Sequence, residues 1–295
     1  MRKAILLLLV WLAPAPPTWA GAPDAEIHDA GHVIVFSKTT GWRHASIPAG
    51  IARIKALGST HHFSVFATEN DSDLTPERLD STDVLIFLNT TGDVLSAAAQ
   101  QHFEDYILGG GGFVGIHSAA DTEYDWPFYG KVIGAYFDSH PQIQSANVEV
   151  VDRTHPSTKH LPFTWERTDE WYNYGANPRD EVHVLAQLDE ATYSGGTMSG
   201  DHPIAWCQEI GQGRSWYTGG GHTDASFSED AFVQHLWGGI QWAAGWAEGD
   251  CKADIASNFQ YEVLLSGITA PMDLRVDPQG RVLFIERTGR VRRYD

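Results

Sequence analysis

Positive charge is scarce in this sequence. Lys and Arg number 20 against 38 Asp and Glu in 295 residues, a formal net charge of −18. Phosphate backbones and anionic lipid headgroups are gripped by clustered Lys and Arg, so nucleic acid and membrane surfaces are excluded as partners. The acidic surplus serves solubility. Cysteine is scarcer still, with Cys207 and Cys251 the two present. They form no C-x-x-C, and neither sits at the strand–turn–helix corner that a thiol nucleophile needs, which excludes dithiol redox and thiolate catalysis. In an oxidising compartment the pair bonds; otherwise both stay as buried free thiols, and the sequence leaves the two open. Beyond the N-terminus no apolar run is long enough to span a bilayer. The H-E-x-x-H spacing of a zinc protease is also missing.

What is present begins with a short basic region at Arg2 and Lys3, an apolar stretch over residues 4–13 and small residues around Ala20 and Ala22. This pattern predicts a secretory signal peptide over residues 1–22 and a periplasmic or extracellular protein. Short apolar runs at 32–37, 63–67, 84–88 and 113–116 then alternate with helical patterns at 46–57 and 96–108, each with a serine, Ser46 or Ser96, at the N-cap. Gly58 is expected to stop the first helix. Such alternation predicts an α/β fold, a parallel sheet with flanking helices, with ligands beyond the carboxyl ends of the strands. Further strands are expected at 148–151, 182–188, 204–209 and 213–218, and a Trp-rich core helix at 230–246. Residues 248–257 read as a linker. Residues 258–295 change character to short strands and turns, a truncated all-β tail that cannot bury a core alone, as expected of a fragment of a longer chain.

The polar residues just past each strand are the candidates for chemistry. Trp42, Arg43 and His44 follow the first strand and precede a helix N-terminus, a place that suits an anion or polarised oxygen but equally an ordinary turn. Asn89 follows the third strand. His117 follows the fourth at a glycine-flanked corner, with Asp121, Tyr124 and Trp126 behind it. Asp138 and His140 come next, then Glu170, and finally His222 behind three glycines. A cleft imidazole is a general base, and aromatic rings beside carboxylates suit sugars: the ring faces stack on C–H surfaces and the carboxylates bind hydroxyls. The expected catalytic set is His117, His222, Glu170 and Asp121. The expected substrate-binding set is Trp42, Arg43, His44, Asn89, Tyr124, Trp126, Asp138 and His140. His44, His117, His140 and His222 are candidate ligands for a divalent metal such as zinc, the competing reading being hydrogen-bonded histidines in a polar cleft.

Six segments together carry a resemblance. They are Gly41–His44, Gly110–Ser118, Phe137–Pro141, Asp169–Tyr172, His202–Trp206 and Gly219–Thr223. In order and content they resemble the ThuA-like, trehalose-utilisation family over about residues 31–247. The resemblance implies a flavodoxin-like sheet of the class I glutamine amidotransferase type and a role in glycoside or keto-sugar metabolism. His117 stands where amidotransferases carry their cysteine, so glutamine hydrolysis is not expected. The tail resembles the start of a glucose/sorbosone dehydrogenase propeller of the pyrroloquinoline-quinone type, through segments such as residues 267–274 and 286–291. Three readings follow: an enzyme isomerising or cleaving a keto-glycoside by proton transfer, with a metal or Arg43 stabilising the enolate; a non-catalytic carbohydrate-binding module serving the attached propeller; or a structural or redox-partner domain with a degenerate pocket.

Overall fold

The computed structural model describes residues 31–252, 271–276, 282–286 and 290–294. The signal-peptide segment, the later part of the expected linker and a strand expected at 261–265 lie outside the described residues.

Five strands form a parallel half-sheet. β1 (His32–Phe36), β2 (Ser64–Thr68), β3 (Val84–Leu88), β4 (Gly112–Ile116) and β11 (Gly213–Thr218) lie in the order β2-β1-β3-β4-β11. The two central strands β3 and β4 are buried at every residue, which is why their sequences are unbroken apolar runs rather than alternating ones. Four strands continue the sheet antiparallel beyond β11: β10 (Pro203–Ile210), β9 (His183–Leu188), β6 (Gln144–Val150) and β7 (Thr164–Asp169). The expected parallel sheet is thus present, with an antiparallel extension. β5 (Phe137–Ser139) and β8 (Asn173–Tyr174) make a small separate ladder.

Helices α1 (Ile47–His61), α2 (Pro76–Leu79), α3 (Ala97–Leu108), α4 (Pro127–Ile133) and α5 (Asp230–Ala243) flank the sheet. Neighbouring β11 residues show both faces covered. Trp216 packs on Gly239 and His235 of α5, while Tyr217 packs on Trp206 and approaches Gly115 beside Ile133 of α4. Ser96 caps α3 as expected, accepting the Ala99 N–H. Two expectations for α1 fail. Ser46 occupies the cap position but its hydroxyl donates to the Gly221 carbonyl instead. Gly58 does not end the helix, which runs to a left-handed His62. Gly58 is small because a Cβ there would sit 2.7 Å from the Phe63 carbonyl oxygen.

Cys207 and Cys251 are bonded to one another, with their Cα atoms 5.4 Å apart. Residues 248–252, expected as linker, therefore belong to the packed domain: Cys251 is buried and the Gly249 carbonyl accepts the Trp242 indole N–H. In the tail, β12 (Pro271–Val276), β13 (Val282–Glu286) and β14 (Val291–Tyr294) form an antiparallel three-stranded sheet.

Candidate functional site

Strands β1, β4, β7 and β11 point their carboxyl ends the same way, and each delivers one side chain to a common place. His44 comes from the loop between β1 and α1. His117 is the first residue past β4, His222 ends the glycine run after β11, and Glu170 directly follows β7. Each offers one ligand atom, and these atoms all lie within 4.8 Å of one another.

Backbone geometry fixes His117. It sits at a left-handed φ of 50°, a strained conformation for a residue with a side chain. Its ring Nδ1 lies 2.9 Å from the Gly219 carbonyl oxygen, and its own carbonyl accepts the Tyr217 hydroxyl. This leaves Nε2 facing His222 Nδ1 at 3.1 Å and Glu170 Oε2 at 3.3 Å. Glu170 Oε2 also meets His222 Nδ1 at 3.0 Å. The His44 ring stands edge-on to both His117 and His222, and its Nδ1 bonds the Ser118 hydroxyl.

Burial and mutual repulsion set the charges. Burial, with His117 and His222 nearby, pushes the His44 imidazole down to about 3, so it is neutral. Burial also pushes His222 down, but the bonded Glu170 carboxylate outweighs it and the net shift is upward. Burial works against ionised Glu170, yet its bonds to His117 and His222 win and hold it well below the usual carboxylate range.

A buried carboxylate supports this arrangement from behind. Asp169 is fully buried, and its oxygens accept the backbone N–H groups of Glu170, Gly221 and His222, the Ser226 hydroxyl and the Arg167 guanidinium. One side chain thereby locks Glu170 and His222 relative to each other. Arg167 is itself held by Glu229 and lies over the Trp165 and Phe232 rings.

The cluster opens into a cavity of about 390 Å³ lined by Trp42, His44, Asp121, Phe137, His140, Glu170, Tyr172 and His222. Trp42 stands 72% exposed at its mouth. Tyr172 lies against His117 and Phe137 against Tyr172, giving an aromatic wall. Burial raises the Asp121 carboxyl above its ordinary value, opposed by its Tyr124 hydrogen bond and His117. His140 reaches Glu170 Oε1 at 3.1 Å from an exposed position, so it joins the rim and not the central cluster.

Five expected substrate contacts fall elsewhere. Arg43 turns away to an exposed ion pair with Glu69. Trp126 packs among Phe103, Phe128 and Tyr129 in the core. Asp138 is exposed and does not line the cavity. Asn89 is buried at a left-handed φ of 51°, tying Ser46 to the Gly221 carbonyl. Tyr124 stacks on Tyr136 and holds Asp121, one step removed from the cavity. Sequence reasoning missed Phe137 and Tyr172 as wall residues and Asp169 and Arg167 as supports. Three of these lie in the very segments that flagged His140 and Glu170.

A larger cleft of about 440 Å³ lies at the opposite end of β1, around Gly31, His61 and Trp237, but holds no set of converging ligand atoms. A second such set among the described residues, His155 with Cys207 and Cys251, is closed by the disulfide.

A family profile described as ThuA, trehalose utilisation, matches residues 32–243. Among solved structures, a ThuA-like protein from Bacteroides uniformis ATCC 8492 is similar at 26% identity and a TM-score of 0.63, over 78% of this chain and 95% of that one. Another, from Parabacteroides merdae ATCC 43184, shares the fold at 18% identity and a TM-score of 0.61, over 73% and 90%. No curated protein matches the chain.

Proposed function

Because this chain belongs to the ThuA, trehalose-utilisation family, we propose that its cavity binds a glycoside or keto-sugar and transfers a proton at a carbon beside the sugar carbonyl. The observation that carries this reading is the convergence of His44, His117, His222 and Glu170 at the floor of an aromatic-walled cavity. The exposed Trp42 indole and the Phe137 and Tyr172 rings offer stacking surfaces for sugar C–H faces. The floor binds the carbonyl oxygen, a role that Arg43 cannot fill from its place beside Glu69. Asp121, with a raised carboxyl in the same cavity, takes the C–H proton and returns it to the adjacent atom, so the isomerisation is proton-neutral.

The test is incubation of the full chain with a ketone-oxidised trehalose or glucoside in D2O, with NMR detection. Deuterium entering at the carbon beside the ketone, and loss of that exchange in Asp121→Asn, is the expected result. No exchange and no product, with or without divalent metal, overturns it. Sugar binding that survives His117→Ala and His222→Ala but not Trp42→Ala would instead favour the non-catalytic binding module. The N-terminal pattern of residues 1–22 supports a secreted protein. The tail's likeness to a sugar dehydrogenase propeller supports a working unit in which the two domains handle related sugars.

A further inference from the structure

The strongest unexplained feature of the cavity floor is the mutual approach of three potential ligand atoms, His117 Nε2, His222 Nδ1 and Glu170 Oε2. The Gly219 carbonyl can only accept, so His117 Nδ1 carries a ring hydrogen and Nε2 is the ring nitrogen that faces Glu170 Oε2 and His222 Nδ1. The three separations of 3.0, 3.1 and 3.3 Å are moreover those of a coordination polyhedron. Donors held about 2.0–2.1 Å from a central ion stand about 2.8–3.4 Å apart, octahedral edges at the short end and tetrahedral ones at the long end.

We propose that His44, His117, His222 and Glu170 form a binding site for one divalent first-row transition-metal ion of the zinc class. Three imidazoles and one carboxylate are the donor types such ions favour over calcium or magnesium. The surroundings have the features of a built site. His117 donates its second ring nitrogen to a backbone carbonyl, which fixes the tautomer that leaves Nε2 as the ligand. Asp169 holds Glu170 and His222 through their backbone N–H groups, its oxygens taken up by these and by Gly221, Ser226 and Arg167. Asp169 is thus a positioning residue for two of the four ligands. Asp121 and His140 stay outside the set, lining the cavity. This inference deepens the reading of the cavity as a sugar site, and names the group that would hold the sugar's carbonyl oxygen.

The test uses chelator-stripped full chain titrated with zinc by calorimetry and with cobalt(II) by visible absorption. One tight equivalent is expected, with cobalt bands of a nitrogen/oxygen site. His222→Ala and Glu170→Gln should each weaken zinc by about 100-fold or more, and Asp169→Asn by about 10–100-fold. Arg43→Ala should leave binding unchanged. Melting curves in chelator establish that each variant folds. Failure of the stripped wild type to bind either ion, or undiminished binding by a folded His222→Ala, overturns the proposal. Sugar exchange by a stripped protein that binds no metal would sink this inference alone. Tight metal without any sugar exchange would sink the sugar reading alone.

Discussion

The two halves of the sheet build the same site by different means. The parallel half supplies His44, His117 and His222 from the loops after β1, β4 and β11, strands that are largely buried. The antiparallel half supplies Glu170 from β7, whose inward-facing residues are Trp165, Arg167 and Asp169. The first half positions ligands with hydrophobic packing and backbone turns. The second does so with a buried ion network that reaches across to the loop after β11. The difference teaches that hydrophobic packing and backbone turns bring three ligands to one end of the sheet, while the fourth, and the hold on His222, depend on buried polar contacts.

The largest expected effect strikes that network. Arg167→Ala leaves Asp169 buried without its partner, a change that costs about 3–5 kcal/mol in comparable pairs. Urea unfolding should show that loss, and zinc affinity should fall with it, since Asp169 holds Glu170 and His222. Leu85→Ala in β3 sharpens the contrast. It opens a cavity in the fully buried core and should cost about 2–5 kcal/mol by the same measurement. Metal affinity of its folded fraction should stay at the wild-type value. If the two variants damage the site equally, the division between the halves is wrong.

The contrast also explains what was legible in the sequence. β3 and β4 announced themselves as unbroken apolar runs, and the polar residues behind them led to His117, as those behind β1 and β11 led to His44 and His222. β7 escaped notice because two of its three inward positions are charged, so the strand has alternation of burial without alternation of hydrophobicity. Arg43 and Trp126 misled for a related reason. Adjacency to His44 or to an acidic segment says nothing about which way a side chain points. Arg43 turns to Glu69 and Trp126 to the core, while the neighbouring Trp42 faces the cavity. Gly58 read as a helix stop because its actual constraint, the close approach of the Phe63 carbonyl, comes from tertiary packing.

An effect of intermediate size depends on pH and draws on one buried histidine from each half. Burial pushes His235, on α5 over the parallel half, down to about 3, and His155, just past β6, down to about 4. Unfolded, both take up a proton near 6.5, so the unfolded chain binds more protons in acid. Their contribution to stability is complete above about pH 6.5 and drains away as the pH falls towards 4. Urea midpoints of the stripped protein should drop between pH 7 and 4.5, and His235→Gln should flatten part of that slope. An unchanged slope in the variant would contradict the assignment.

The smallest effects test the periphery. Ser96→Ala removes the α3 cap and should cost about 1 kcal/mol in urea unfolding. Arg43→Ala breaks an exposed pair and should cost under about 1 kcal/mol, with sugar and metal binding untouched. Any loss of ligand affinity in Arg43→Ala would return that residue to the site.

The central question is whether side chains from both halves hold one ion. Anomalous diffraction at the zinc edge from a zinc-soaked crystal tests this directly. A single strong peak about 2.0–2.1 Å from nitrogens of His44, His117 and His222, with a Glu170 oxygen at like distance, is the predicted result. A peak bound by the histidines with Glu170 turned away, or no peak at the cavity floor, would contradict it.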